Sequence, residues 1–179
     1  MRKAILCTIL LLVCACTRHA SGSIASYIEN KHGAVFFFLA TDCPLSQNYM
    51  PTMNQLSKQF AANGIGFYGV FSQEDLPRKT LDDFTTSYGM SFPAIRDEQF
   101  KLVDYFAATT TPQAFLVDST GQTLYKGAID NWAPELGQHR TVITEHYLLN
   151  ALESLRDSKP VKVKETSAVG CFIERKNQG

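Results

Sequence analysis

The sequence predicts an α/β fold with a mixed central sheet and helices on both of its faces. Three observations carry that prediction. Continuous apolar runs of strand length occur at residues 35–39 and 65–71, the pattern of strands buried on both sides. Between them Met50, Met53, Leu56 and Phe60 recur at steps of three, three and four, which marks one face of a helix. Two later strand candidates flank the turn cluster Asp118-Ser119-Thr120-Gly121, so a hairpin adds antiparallel strands to an otherwise alternating, parallel arrangement.

The elements follow in order. Arg2 and Lys3 precede an apolar run over residues 4–15 broken only by Thr8, the pattern of an export signal and too short for a comfortable membrane span. Residues 17–25 are small and polar and read as a tether to a domain over 26–158. After the strand at 35–39, Pro44 stands where a helix begins, Pro51 predicts a kink, and Asn63-Gly64 stops the helix. Residues 81–88 read as a helix with Thr80 as its N-cap. Residues 92–95 are short and extended, and 99–106 form a short helix. Residues 114–117 and 123–127 make the hairpin, and 144–156 the final helix. Residues 159–179 form a polar tail without periodicity.

The chain of 179 residues fits one domain with a sizeable core. Its 17 basic and 17 acidic side chains cancel, so charge gives no reason to expect a nucleic-acid partner. The chemistry centres on Cys43, which falls after a buried strand and at a helix start. Unpaired N–H groups and the positive end of the dipole there favour a thiolate, the nucleophile of disulfide exchange and of peroxide reduction. This placement predicts a sulfur lifted out of the core. Asp42 beside it is expected to raise the thiol pKa.

Residues 38–46 (FLATDCPLS) resemble the active-site segment of thioredoxin-like proteins of the TlpA and redoxin (alkyl hydroperoxide reductase/thiol-specific antioxidant) group. The resemblance covers roughly residues 30–156 and implies a thioredoxin-like three-layer sandwich. Thr110-Thr111-Pro112-Gln113-Ala114-Phe115-Leu116-Val117-Asp118 resembles the family segment in which a cis-proline faces the active-site Cys, a role that passes to Pro112. Thr41, Pro44, Ser46 and Thr111 are the implied substrate contacts. Where the family's thiol oxidoreductases read Cys-Pro-x-Cys, this chain has Ser46 in the last place. The segment from Tyr125 to Asp130 and the C-terminal Glu165-Thr166-Ser167-Ala168-Val169-Gly170-Cys171-Phe172-Ile173 resemble a redoxin subgroup with a Cys-Pro-x-Ser site.

The leader ends in Val13-Cys14-Ala15-Cys16, which resembles a bacterial lipobox, so residues 1–16 are expected to end in a lipidated Cys16. Cys7 and Cys14 leave with the signal, and Cys43 and Cys171 remain. A Cys-x-x-Ser site has no adjacent resolving thiol, and the expectation is that Cys171 folds back to pair with Cys43; a free Cys171 or an intermolecular pair are the alternatives. The resemblance thus implies an exported thiol–disulfide oxidoreductase on the periplasmic side of a bacterial cell envelope. It would be held at the membrane through a lipid anchor, use no cofactor or metal, and act on a protein or small-molecule disulfide. A thiol peroxidase acting on a peroxide is the alternative, although Ala40 holds the place where peroxiredoxins have Thr, Thr41 is one position off, and no peroxide-binding Arg can be assigned. A copper module of the Sco type, drawing on His139 and His146, lacks the second local Cys. A non-catalytic binding domain is the remaining reading.

Overall fold

The computed structural model describes residues 24–175. The expected leader, Cys16 and residues 17–23 of the expected tether lie outside them. A short helix α1 (Ala25–Ile28) leads into β1 (Gly33–Leu39), followed by α2 (Pro44–Asn48) and α3 (Met50–Phe60). Then come β2 (Ile65–Phe71), α4 (Arg78–Ser87), β3 (Ala94–Arg96), α5 (Lys101–Phe106), β4 (Thr110–Thr111), β5 (Gln113–Asp118) and β6 (Thr123–Gly127). Helix α6 (Tyr147–Arg156) and strand β7 (Cys171–Phe172) close the chain.

Five strands form a mixed sheet in the order β3-β2-β1-β5-β6. Strands β1, β2 and β3 are parallel, while β5 runs antiparallel to both β1 and β6. The central β1 explains its own composition. Side chains alternate across a strand, and both sides here are covered. Val35, Phe37 and Leu39 join one apolar cluster with Met50, Met53, Leu56 and Phe60 of α3, Leu81 and Phe84 of α4, and Leu148, Ala151 and Leu152 of α6. Ala34, Phe36 and Phe38 face the other cluster, with Ile28 of α1 and Leu102, Val103 and Phe106 of α5. The two clusters are the two interfaces of a three-layer sandwich.

Three local readings change in the folded chain. The kink expected at Pro51 is a break two residues earlier, at Tyr49. Tyr49 ends α2 and begins α3, and Pro51 sits in the first turn of α3, where its missing N–H costs no helical bond. Helix α4 begins at Arg78, with Pro77 in extended backbone as its N-terminal flank and no side-chain cap, so Thr80 lies inside the first turn and is not the cap. At the other end of the expected tether, Ile24 is buried in the α5-side cluster and Ala25 opens α1.

The largest difference concerns the C-terminal segment. Residues 159–179 carry no periodicity, yet the described part packs along the domain. Val161 joins the core, the Lys126 backbone bonds to Lys164 on one side and Thr166 on the other, and β7 pairs antiparallel with β4. Two-residue strands are too short to show alternation, which is why no pattern announces them.

Candidate redox site

Strand β1 delivers the chain to one end of the sheet, and a tight turn carries it to Cys43. This residue is the N-terminal flank of α2, in extended backbone, with Pro44 as the first helical residue. Its carbonyl accepts from Gln47 N at 3.2 Å, so the helix begins on it. Gln73, just past β2, ties the turn down. Its Oε1 accepts from the Thr41 N–H at 2.9 Å and the Thr41 hydroxyl at 3.1 Å, and its Nε2 donates to Asp42 Oδ1 at 3.1 Å. The Thr41 hydroxyl is therefore engaged inside the loop. Ser46 is fully buried, and its Oγ accepts from the Ala40 N–H at 3.3 Å.

The opposite wall comes from the segment before β5. The Thr111–Pro112 peptide bond is cis. The Thr111 carbonyl lies 3.1 Å from Cys43 Sγ, where it accepts the thiol proton. Strand β7 lies against this same segment, with Thr111 opposite Cys171 and Thr110 opposite Phe172. Cys171 Sγ comes within 2.6 Å of Cys43 Sγ, to which it donates. The fold thus gathers Cys43, Ser46, Thr111, Pro112 and Cys171, while Pro44 stays on the surface. Cys16 is outside the described residues.

The tail reaches this position through a series of fitted contacts. Lys126 N donates to Lys164 O, and Thr166 N donates to Lys126 O, both at 3.0 Å. The Thr166 hydroxyl shares a 2.6 Å hydrogen bond with the buried Tyr125 hydroxyl and accepts from Ala128 N at 3.0 Å. Gly127, at φ +136, lets the tail cross, since a Cβ there would meet Thr166 O at 2.2 Å. Gly170 does the same at the sulfur, because a Cβ would lie 2.0 Å from Thr111 O. Beyond the cysteine, Ile173 N donates to Thr109 O at 3.0 Å, and Arg175 pairs with Asp104 and sits over the Phe100 ring. The resemblance motifs thereby acquire physical reasons: Tyr125, Gly127, Thr166 and Gly170 dock the tail.

The docked tail also corrects the expectation of a sulfur raised out of the core. Cys43 is 1% exposed and belongs to the α3-side cluster, with Val169 and Cys171 packed against it. A helix start sets the direction of a side chain, but a later segment of chain has closed over it. Burial alone pushes the Cys43 thiol up; hydrogen bonds from the Cys171 thiol, the Ser46 and Cys171 backbone and the Thr111 side chain outweigh it, and the net shift is downward. Cys171 moves the other way, to about 12, through burial, its bond to Cys43, and the charges of Cys43 and Asp42. Asp42 therefore acts on Cys171 as well as standing beside Cys43. The arrangement is chemically asymmetric, with one sulfur favoured as thiolate and its neighbour held as thiol.

Residues 16–126 match the AhpC/TSA family. The chain belongs to the AhpC/TSA family. This AhpC/TSA-family chain is 28% identical over 95 residues to a protein of Halalkalibacterium halodurans named thiol-disulfide oxidoreductase ResA, a match that takes in 53% of this chain and 52% of that protein. It spans about half the length of the curated relatives it matches. Among solved structures it is similar to an uncharacterized conserved protein from Geobacillus kaustophilus, with TM-score 0.76 and 21% identity, covering 85% of this chain and 82% of the other. It is also similar to a thioredoxin-like protein in its oxidized form, with TM-score 0.55 and 16% identity over 72% and 80% of the two chains. These likenesses establish the thioredoxin-like fold.

Gln73 and Thr109 have no signal in the sequence, and Arg175, which beside Lys176 reads as part of a solvated tail, instead pairs with Asp104 over the Phe100 ring. Each acts through a backbone or side chain distant in sequence, and a lone Gln, Thr or Arg carries no spacing signal. Asp130 and Tyr49, both buried, form a corner with the half-buried Trp132. Asp130 Oδ1 accepts from the Tyr49 hydroxyl and from Trp132 N, both at 2.8 Å, and Trp132 packs edge-on against Tyr49. His139 stacks on Trp132, and His146 is exposed just before α6. Among the described residues no group of three or more His, Cys, Asp or Glu side chains is placed to hold a metal ion, and no helix is long and apolar enough to cross a membrane.

Proposed function

We propose that the protein is an exported thiol–disulfide oxidoreductase in which Cys43 is the nucleophile and Cys171 the resolving thiol. The observation that carries this reading is the 2.6 Å approach of the two sulfurs beside cis-Pro112. The Cys43 thiolate attacks one sulfur of a client disulfide, forms a mixed disulfide and expels the client's other sulfur as thiolate. The Cys171 thiolate then attacks Cys43 Sγ and releases the second client sulfur. The client disulfide gains two electrons, and the Cys43–Cys171 pair loses them as it becomes a disulfide. Each step reverses when the client is the reduced partner. Ser46 cannot supply the second sulfur, and a tail cysteine that reaches the same place takes over that task.

Because Cys43 is covered when the tail is docked, the first attack requires the tail to lift, and the second requires it to return. Short strand pairing and exposed ion pairs hold it weakly enough for both. The name of the Halalkalibacterium halodurans relative supports disulfide chemistry of this kind. The basic and apolar leader supports export, and the Val13–Cys16 segment supports lipidation of Cys16, placing the domain on the periplasmic side of a bacterial envelope.

The test is turnover of a model disulfide and of hydrogen peroxide by the mature protein, its Cys43→Ser variant and its Cys171→Ser variant. The reading expects disulfide turnover that both substitutions abolish, with the mixed disulfide accumulating on Cys43 in the Cys171→Ser variant. Disulfide turnover that survives Cys43→Ser overturns it.

A further inference from the structure

The two sulfurs differ sharply in access. Cys43 is 1% exposed, whereas Cys171 is partly open and forms part of the wall of a surface cavity of about 420 Å³. Asp42, Gln73, Thr111, Phe172 and Arg175 are other members of that wall, and Cys43 is not one of them. A volume of this size falls within the range of small-molecule sites. Whatever thiol meets the closed, oxidised protein therefore meets Cys171.

We propose that the Cys43–Cys171 disulfide is reopened by attack at Cys171, by a small thiol compound seated in this cavity. The inference rests on the Cys43–Cys171 exchange proposed above. An incoming thiolate, its proton given to water, forms a bond to Cys171 Sγ. The Cys43–Cys171 bond breaks, and its electron pair leaves on Cys43 as thiolate. A second thiol of the same donor class attacks the donor's sulfur in the mixed disulfide. That step expels Cys171 as thiolate, which takes up a proton. Two donor thiols become one donor disulfide, and the protein disulfide becomes a dithiol.

Leaving-group chemistry favours the same direction. Disulfide exchange is faster when the departing sulfur is the more acidic one. When Cys43 departs, the Ser46 and Cys171 backbone and the Thr111 side chain remain to stabilise its thiolate, whereas burial and the Asp42 charge disfavour a Cys171 thiolate. Attack at Cys43 would have to pass the tail and then expel the worse leaving group. The redox cycle thus uses opposite sulfurs in its two halves: Cys43 to meet the client disulfide with the tail lifted, Cys171 to meet the reducing thiol with the tail closed.

The experiment uses the oxidised full-length mature protein. Its Cys43–Cys171 disulfide is first established by mapping nonreduced peptides. Glutathione is then added as the probe thiol, the mixture is quenched in acid at short times, and the site of the adduct is mapped. The expected result is glutathione on Cys171 with Cys43 as free thiol, over the reverse by roughly tenfold or more. Adduct chiefly on Cys43, or a disulfide that glutathione leaves intact, overturns this inference while the oxidoreductase reading stands. An oxidised protein with no Cys43–Cys171 link removes the resolving role of Cys171 and this inference with it.

Discussion

Cys171 Sγ lies 2.6 Å from Cys43 Sγ although 128 residues separate them in the chain. Mild oxidation is therefore expected to close an intramolecular disulfide without rearrangement of the domain. Closing a loop of this length lowers the entropy of the unfolded chain, an effect worth up to about 5 kcal/mol. Denaturant unfolding of the oxidised and reduced protein checks this. A gain on oxidation that vanishes in Cys171→Ser is the expected outcome.

Gly170 separates the docking of the tail from the chemistry of the sulfur. A Cβ at this position would lie 2.0 Å from the Thr111 carbonyl oxygen, a backbone atom that cannot move aside cheaply. Gly170→Ala is expected to undock β7 while the five-stranded sheet persists. Alkylation of reduced Cys43 by iodoacetamide should accelerate by roughly tenfold or more, since access limits it in the native chain. Unchanged alkylation would mean that the tail does not guard Cys43.

Thr166 anchors the tail at its other end. Its hydroxyl serves the Tyr125 hydroxyl and Ala128 N together. Thr166→Val keeps the shape and removes both bonds, leaving a buried tyrosine hydroxyl with only the Ala128 carbonyl as partner. The expected cost is about 1–3 kcal/mol, read from chemical denaturation. Slower formation of the Cys43–Cys171 disulfide should accompany it.

The two thiols make the stability of the reduced protein depend on pH in opposite ways. The Cys43 pKa is lowered from the ordinary 9.0, so its contribution is present above that value and is lost as pH falls through the lowered one. The Cys171 pKa is raised to about 12, so its contribution is present below the ordinary 9.0 and fades as pH rises toward about 12. Titration of thiolate absorbance in the reduced native chain and in Cys171→Ser checks the pair. One native thiol should ionise below 9.0 and the other well above it, and Cys43 should ionise at higher pH in Cys171→Ser; two native thiols that ionise together near 9.0 contradict the assignment.

Much of the fold was legible because its signals are local. The VFFFL run of β1 must be buried on both faces, whichever helices cover it, and the Asp118–Gly121 cluster permits little besides a hairpin. The start of α4 was misread because Pro77, extended and followed by Arg78, opens the helix without a side-chain cap, and a nearby Thr looks like one. The Cys-Pro step at the end of β1 was legible as a site for similar reasons: strand end, proline and helix start adjoin in sequence.

Burial periodicity and backbone preference over a few residues suffice for the layers, for the strand that carries Cys43 to the sheet's end, and for the helix that begins on it. That Cys43 is covered, that Cys171 covers it, and that the Asp42 charge reaches Cys171 follow from the folded chain alone. Those facts depend on two-residue strands, on single glycines that let backbones touch, and on hydrogen bonds between residues far apart in the chain. Such interactions have no period and leave no composition signal, so the tail reads as polar and featureless until the fold gives it an edge to lie against.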